Sequence, residues 1–169
     1  DLSRAAIDGF RKLAAESKRL MHPEPDRYVT GAYVKIGFFR TNTDLLYQDE
    51  IHGDLFTQVE KTLDLLLTKY LRAGISYKGL QRIETYPVPE SALREAVTNA
   101  LIHKDYGSGN PIQISVYDDK LMMWNAGELP PHWTEASFKG KHNSHPFNPD
   151  VANAFFRAGV VAAVGYMFV

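Results

Sequence analysis

The sequence of 169 residues contains no cysteine, which excludes disulfide bonds, thiolate metal sites and a cysteine nucleophile. It has no signal-peptide pattern and no apolar run near the roughly 20 residues of a membrane-spanning helix, so we expect a soluble, cytoplasmic protein without membrane contact. The formal net charge is −1, which argues against a surface dominated by nucleic-acid binding, because phosphate contacts need clustered lysine and arginine.

Three sequence motifs are also missing, and each absence disfavours a class of site. No P-loop of the form G-x-x-x-x-G-K-[ST] occurs, so a helicase motor built on that loop is excluded. There is no G-x-S-x-G elbow and no Ser-His-Asp order, so a serine hydrolase is not expected. His132, His142 and His145 suggest a zinc site, because His142 and His145 have the spacing of paired ligands, but no thiolate and no obvious fourth ligand accompany them. We interpret them as polar residues of a loop.

The composition that is present suits one globular domain. Hydrophobic residues make up 44% and charged residues 23% of the chain, enough to bury a core. The chain starts without a methionine and ends on an apolar run, so we expect a piece of a longer protein, truncated at its C-terminus. Residues 1–25 are interpreted as a helical segment and a proline-containing linker, and residues 31–169 as the main domain.

Hydrophobic periodicity predicts strands that alternate with helices. Residues 41–54 are interpreted as a polar connection and residues 75–87 as one extended stretch. The predicted helices and strands are a strand at 31–40, a helix at 55–71 with Gly74 as its stop signal, a helix at about 91–104, strands at 111–117 and 120–125 joined by a tight turn, and a helix at 151–159. Some neighbouring strands are too close for a crossover helix. We therefore predict an α/β fold, a two-layer sandwich in which helices cover a mixed β-sheet.

The stretch EAVTNALIHKDY carries an unusual polar stripe. Glu95, Asn99 and His103 fall at i, i+4 and i+8, on one face of the predicted helix. The amide oxygen of Asn99 is a ligand suited to Mg²⁺, and Glu95 could hold or deprotonate an attacking water. The glycine-containing loop WNAGELP follows a strand, which lets backbone approach a nucleotide closely. The alternatives are a solvated helix face for the stripe and a packed, hydrogen-bonded histidine for His103.

Three segments carry a resemblance to a known family. They are ALREAVTNALIHKDY (92–106), PIQISVYDDKLMMWNAGELP (111–130) and NPDVANAFFRAG (148–159). The chain resembles the GHKL (Bergerat-fold) ATP-binding domain of bacterial transcriptional regulators and RecG-like helicase proteins, over most of residues 31–160. Residues 1–20 resemble the tail of the Schlafen/AlbA-type module that precedes this domain.

The resemblance assigns roles to individual residues. It implies that Glu95 is the general base and that Asn99 binds Mg²⁺. On the same helix His103 is a further candidate nucleotide-binding residue, since it could point at phosphate. Asn125 and Gly127 match the adenine-contacting position and the glycine of the first glycine box. Lys139 and Lys141 match the ATP lid, where they either close over phosphates or keep the loop soluble. Asn148 and Pro149 match an Asn-Pro that precedes the last helix.

The implied function is Mg²⁺-ATP binding in an intracellular bacterial regulator, with slow hydrolysis acting as a conformational switch. The expected partners are a nucleotide, DNA only through flanking modules, and a second copy in a homodimer. The sequence departs from the family pattern at Asn125, where many members have aspartate, at Phe147, where an arginine is usual, and at Gly165, all that remains of the second glycine box. The alternative function is a degenerate, non-catalytic interaction or dimerisation module.

Overall fold

The computed structural model describes residues 17–127, 142–143, 146–160 and 166–167. In chain order the elements are β1 Val34–Thr41, β2 Asp44–Ile51, α1 Leu55–Leu65, β3 Gly74–Lys78, β4 Gln81–Thr85, α2 Glu90–His103, β5 Ile112–Val116, β6 Leu121–Trp124, β7 His142–Asn143, α3 Pro149–Arg157 and β8 Tyr166–Met167. Short 3₁₀ turns at Pro25–Arg27 and Tyr106–Ser108 accompany them, and a π-helical turn, Leu66–Tyr70, follows α1.

The main sheet has four strands in the order β2-β1-β5-β6. β1 pairs with β2 in the antiparallel sense and with β5 in the parallel sense, and β5 pairs with β6 in the antiparallel sense. A parallel pair needs a long crossover connection, and the chain between β1 and β5 supplies it with α1 and α2. The mixed sheet predicted from the sequence is confirmed.

The hydrophobic core lies between one face of this sheet and the helices. Alternate residues of the two central strands are buried, as the period of two in a half-buried strand requires. These strand residues are Val34, Ile36, Ile112, Ile114 and Val116. The helices contribute Leu55, Val59, Leu63, Leu93, Val97, Leu101, Val151 and Phe155. The layered α/β fold is therefore confirmed, with helices packed on the sheet.

The helix predicted over 55–71 is found, but its last turn is wider than an α-helix. Asp54 caps its start by accepting a hydrogen bond from the backbone N–H of Thr57 at 2.9 Å. At its end the N–H of Leu71 donates to the carbonyl of Leu66 at 2.7 Å, an i to i+5 bond. Leu71 is already extended, so the chain leaves the helix before the predicted stop at Gly74.

Two interpretations of the sequence are wrong. Residues 41–54 are not a simple connection, because they contain β2, an edge strand whose side chains are mostly exposed, so polar residues do not disturb its pairing. Residues 75–87 are not one extended stretch, because the chain reverses at Gly79 and forms the hairpin β3–β4. Gly79 has φ +63°, the left-handed region that glycine enters without steric cost.

The segment before β1 packs onto the domain. Residues 17–20 are helical, and Leu20 and Pro25 are buried. The domain boundary predicted between residues 25 and 31 stays a prediction. Within the described ranges, no helix has the length and apolar character needed to cross a membrane.

Candidate functional site

The helix α2 separates an apolar face from a polar one. Leu93, Val97 and Leu101 are spaced by four residues and are buried in the core. On the other side Glu95 is exposed, and Asn99 and His103 are half-buried. The three polar residues follow one stripe that extends about 12 Å along the helix axis. The structure therefore brings these predicted site residues together.

His103 lies at the last turn of α2, where burial lowers the pKa of its imidazole below the usual value. The ring is consequently neutral at physiological pH. A neutral imidazole can take part in hydrogen bonds, but it supplies no positive charge to a phosphate.

The loop after β6 lies directly against the end of α2. The backbone N–H of Asp105 donates to the carbonyl of Ala126 at 2.7 Å. A Cβ atom at Gly127 would lie 2.8 Å from the carbonyl oxygen of His103, closer than a side-chain carbon can approach a backbone atom. Glycine is required here because the backbone of the loop touches the backbone of the helix. The predicted glycine of the first glycine box thus adjoins the polar stripe of α2.

Asn125 precedes this contact and is half-buried. Its amide nitrogen donates weakly to the carbonyl of Ala126, at 3.4 Å. Its amide oxygen accepts no hydrogen bond from the part of the chain that the structure describes. An amide oxygen in this position can accept a hydrogen bond from a ligand, although without the charge that aspartate would add.

Asn148 joins the start of α3 to the end of α2. Its side-chain amide donates to the carbonyls of Ile102 at 2.9 Å and Lys104 at 2.7 Å, and its backbone N–H also donates to Ile102 at 3.1 Å. These carbonyls belong to the C-terminal turn of α2, where helical partners run out. Sequence reasoning matched Asn148 to a family motif but did not find this capping role, since the two segments are far apart along the chain.

Lys104, the residue after α2, is fully buried. Its Nζ lies 3.3 Å from the carbonyl oxygen of Asp105 and 4.4 Å from the centre of the Tyr106 ring. Burial lowers the pKa of Lys104 to about 8, against a smaller opposing effect of the Asp105 carboxylate. No sequence signal marked this lysine as buried, because lysine at a helix end is usually solvated.

A cavity of about 300 Å³ lies beside these residues, between the 3₁₀ turn after α2 and the start of α3. Its walls include Leu20, Tyr106 and Phe147. Glu95, Asn99 and Asn125 do not line it, so this cavity is not the predicted nucleotide site. Lys139 and Lys141, predicted for the lid, lie outside the described residues, as does the side chain of His142.

The described residues form a layered α/β domain in which the end of α2, the helix that carries Glu95 and Asn99, lies against the loop of Gly127. A comparison with protein families indicates the class of this domain. The family described as "Putative ATP-dependent DNA helicase recG C-terminal" matches residues 109–166, which include β5, β6 and α3 but not α2. The match confirms the resemblance to a GHKL, ATPase-like domain. It says nothing of a Schlafen/AlbA-type module.

A solved structure shares the fold. The crystal structure of the DIP2311 protein from Corynebacterium diphtheriae superposes with a TM-score of 0.63 at 19% sequence identity. The similarity covers 76% of this chain but 26% of DIP2311, so the chain spans about a quarter of that protein's length. Comparison with curated protein sequences gave no match.

Proposed function

We propose that this chain is the ATP-binding domain of a larger bacterial regulator, and that it holds Mg²⁺-ATP between the polar stripe of α2 and the loop 125–127. The observation that carries the proposal is the contact of Gly127 with the carbonyl of His103. This contact fixes a glycine loop beside a helix whose outward face presents a carboxylate and an amide.

The residues present fit a magnesium ion that is held mainly by phosphate. Mg²⁺ retains several waters and takes few protein ligands, usually oxygen atoms, with phosphates completing its shell. The side chain of Asn99 is half-buried and makes no hydrogen bond with the described part of the chain, so its oxygen is available. Among the described residues, no group of three or more histidine, aspartate or glutamate side chains could hold a metal without such help.

The two ends of the stripe suit the two ends of the nucleotide. The base would lie at the loop, where Asn125 accepts from the adenine amino group and the Gly127 backbone allows close approach. The phosphates would then extend toward Asn99, with Lys139 and Lys141 closing over them. Glu95, one turn beyond Asn99, would orient or deprotonate water in a slow hydrolysis that acts as a switch. The neutral state of His103 favours a hydrogen-bonding role near the base.

The domain would act inside the cell as one part of a longer regulator. DNA contact would belong to flanking modules, because the net charge of this chain is −1. Nucleotide binding and lid closure would then change how the domain meets those modules or a second copy.

Calorimetric titration tests the proposal directly. The chain, Asn99→Ala and a control, Asn153→Ala on the exposed side of α3, are titrated with ATP and with a non-hydrolysable analogue, with and without Mg²⁺. We expect Mg²⁺-dependent binding that Asn99→Ala loses and the control retains. Equal binding by Asn99→Ala and the control would reject the proposed site.

A non-catalytic interaction module is the second candidate function. The exposed apolar side chains of the β3–β4 hairpin favour it, because such side chains often mark a surface that another protein covers. A folded chain that binds no ATP yet associates with itself would support this candidate over the first.

A further inference from the structure

The β3–β4 hairpin forms a sheet of its own, separate from the four-stranded sheet. All ten residues of its two strands are exposed. They include Tyr77 at 71% and Ile75 at 56% exposure, and Leu80 at the turn is fully exposed. A two-stranded hairpin without a packed face is marginally stable in water, so an exposed apolar arm of this kind gains stability from a partner.

The free edge of β4 has hydrogen-bonding groups that no described residue uses. Lys78 and Gln81 flank the two-residue turn and pair with each other, and antiparallel pairs alternate between bonded and non-bonded types. Gln81, Ile83 and Thr85 therefore direct their backbone groups toward β3. Arg82 and Glu84 direct theirs outward, away from the hairpin.

This outward edge is complementary to itself. If a second copy of β4 is placed antiparallel with Ile83 facing Ile83, each Arg82 lies opposite Glu84 of the other copy. The outward backbone groups of these same residues then form two bonded pairs, as the alternation requires. β3 cannot pair with a second copy of itself in this way, because its only charged residue is Lys78 and it contains no acidic residue. Within one chain Arg82 and Glu84 already contact each other at 2.6 Å, in an exposed pair that can exchange partners.

We propose that β4 is a homodimer contact, in which two copies pair antiparallel about a two-fold axis at Ile83 and join their hairpins into one four-stranded sheet. The charge pattern indicates that the partner is a second copy of this chain. In an isologous contact the strand must place opposite charges against each other when it pairs with an antiparallel copy of itself. The hairpin leads within five residues into α2, so the dimer contact and the proposed nucleotide helix are adjacent along the chain.

Charge reversal provides the test. Arg82→Glu alone puts acidic side chains opposite each other at both symmetric positions, and Glu84→Arg alone puts basic ones there. We expect each single variant to raise the dimer dissociation constant about tenfold or more, measured by sedimentation equilibrium. An equimolar mixture of the two variants restores opposite charges across both positions, so we expect it to form a heterodimer about as tight as the unmutated dimer.

The mixture isolates the contact between chains. Both single variants lose the pair within one strand, so that pair cannot explain a recovery on mixing. Lys78→Glu, a charge change on β3 of the same hairpin, is the matched control and should leave association unchanged. Circular dichroism checks that each variant is folded. An unmutated chain that stays monomeric, single variants that associate as tightly as the unmutated chain, or a mixture that fails to recover would each overturn the proposal.

Discussion

Gly127 shows how one contact between backbone atoms determines the identity of a site residue. A Cβ atom there would lie 2.8 Å from the carbonyl oxygen of His103, so either the loop or the end of the helix would have to shift. We expect Gly127→Ala to displace the loop, to lower the free energy of unfolding by about 1–3 kcal/mol and to weaken ATP binding. Urea denaturation and calorimetric titration measure the two effects.

Gly74 provides the matched control for this substitution. A Cβ atom there would meet the carbonyl oxygen of Thr85 at 3.5 Å, which is an ordinary van der Waals contact. Gly74→Ala should therefore change stability far less. Equal stability of the two alanine variants would show that the loop relaxes without cost.

Lys104 shows the cost of a buried cation. Its pKa in the folded state is about 8, against 10.5 for the ordinary lysine side chain. The difference corresponds to roughly 3 kcal/mol that disfavours the charged lysine in the fold at neutral pH. Between about pH 8 and 10.5 the unfolded chain binds more protons than the folded chain, so stability rises with pH across that window.

We expect Lys104→Met to fill the same space without the charge. The substitution gives up the hydrogen bond to Asp105 and the contact with Tyr106, so we expect a net gain of about 1–3 kcal/mol at pH 7. The extra rise in stability between pH 8 and 10.5 should disappear as well. Urea denaturation across this pH range checks both results, with Lys61→Met on the exposed side of α1 as the control. A loss of stability at pH 7 would indicate that the lysine contacts outweigh its desolvation.

At the scale of elements, the side chain of Asn148 links the start of α3 to the end of α2. The Asn148 amide donates to the carbonyls of Ile102 and Lys104, and Asn148→Ala removes both bonds, although the backbone N–H of residue 148 still donates to Ile102. We expect a loss of about 1–3 kcal/mol, because the buried carbonyl of Lys104 is left without this donor. Asn148→Asp is the second variant, since a carboxylate cannot donate to these carbonyls. Thermal unfolding monitored by circular dichroism provides the measurement, and a loss no larger than that of Asn153→Ala would refute the capping role.

The elements differ in how clearly their sequences predict them. The helix predicted at about 91–104 is found at Glu90–His103, since it combines apolar spacing with a proline at its start. β5 and β6 are also found as predicted, because alternating apolar residues flank the turn at Asp118. β2 has no such signal, because an edge strand needs no apolar pattern. The π-helical turn after α1 has none either, because local spacing does not reveal an i to i+5 bond.

The candidate site divides in the same way. Glu95, Asn99 and His103 could be placed on one helix face from their spacing alone. The contact of Gly127 with His103, the cap from Asn148 and the burial of Lys104 could not be predicted, because each joins segments that meet only in the folded chain. Local periodicity predicts which side chains share a face, and tertiary packing decides what that face meets.

At the scale of the whole molecule, the domain combines a closed core with exposed apolar side chains. The core between the sheet and the helices determines how α2 is placed. At the edge strand β6, however, Met122 and Trp124 are exposed. The hairpin and the edge strand β2, with Leu45 and Leu46, also carry exposed apolar side chains, and such side chains often mark surfaces that another protein covers. The predicted two-layer sandwich explains the sheet face that the helices cover. It does not identify a partner for the exposed apolar side chains.

The parallel pairing of β1 with β5 has a kinetic consequence. Val34 pairs with Ile112, so the centre of the sheet cannot close until both helices of the crossover and β5 have been synthesised. Contacts between such distant residues cost chain entropy before they contribute stability, and folding through them is slow. During that delay both strands of the hairpin have already been synthesised, and their pairing needs only local contacts. Newly made chains thus contain the proposed β4 edge before the core between the sheet and the helices is complete. We therefore expect misassembly to be greatest where many chains are synthesised close together.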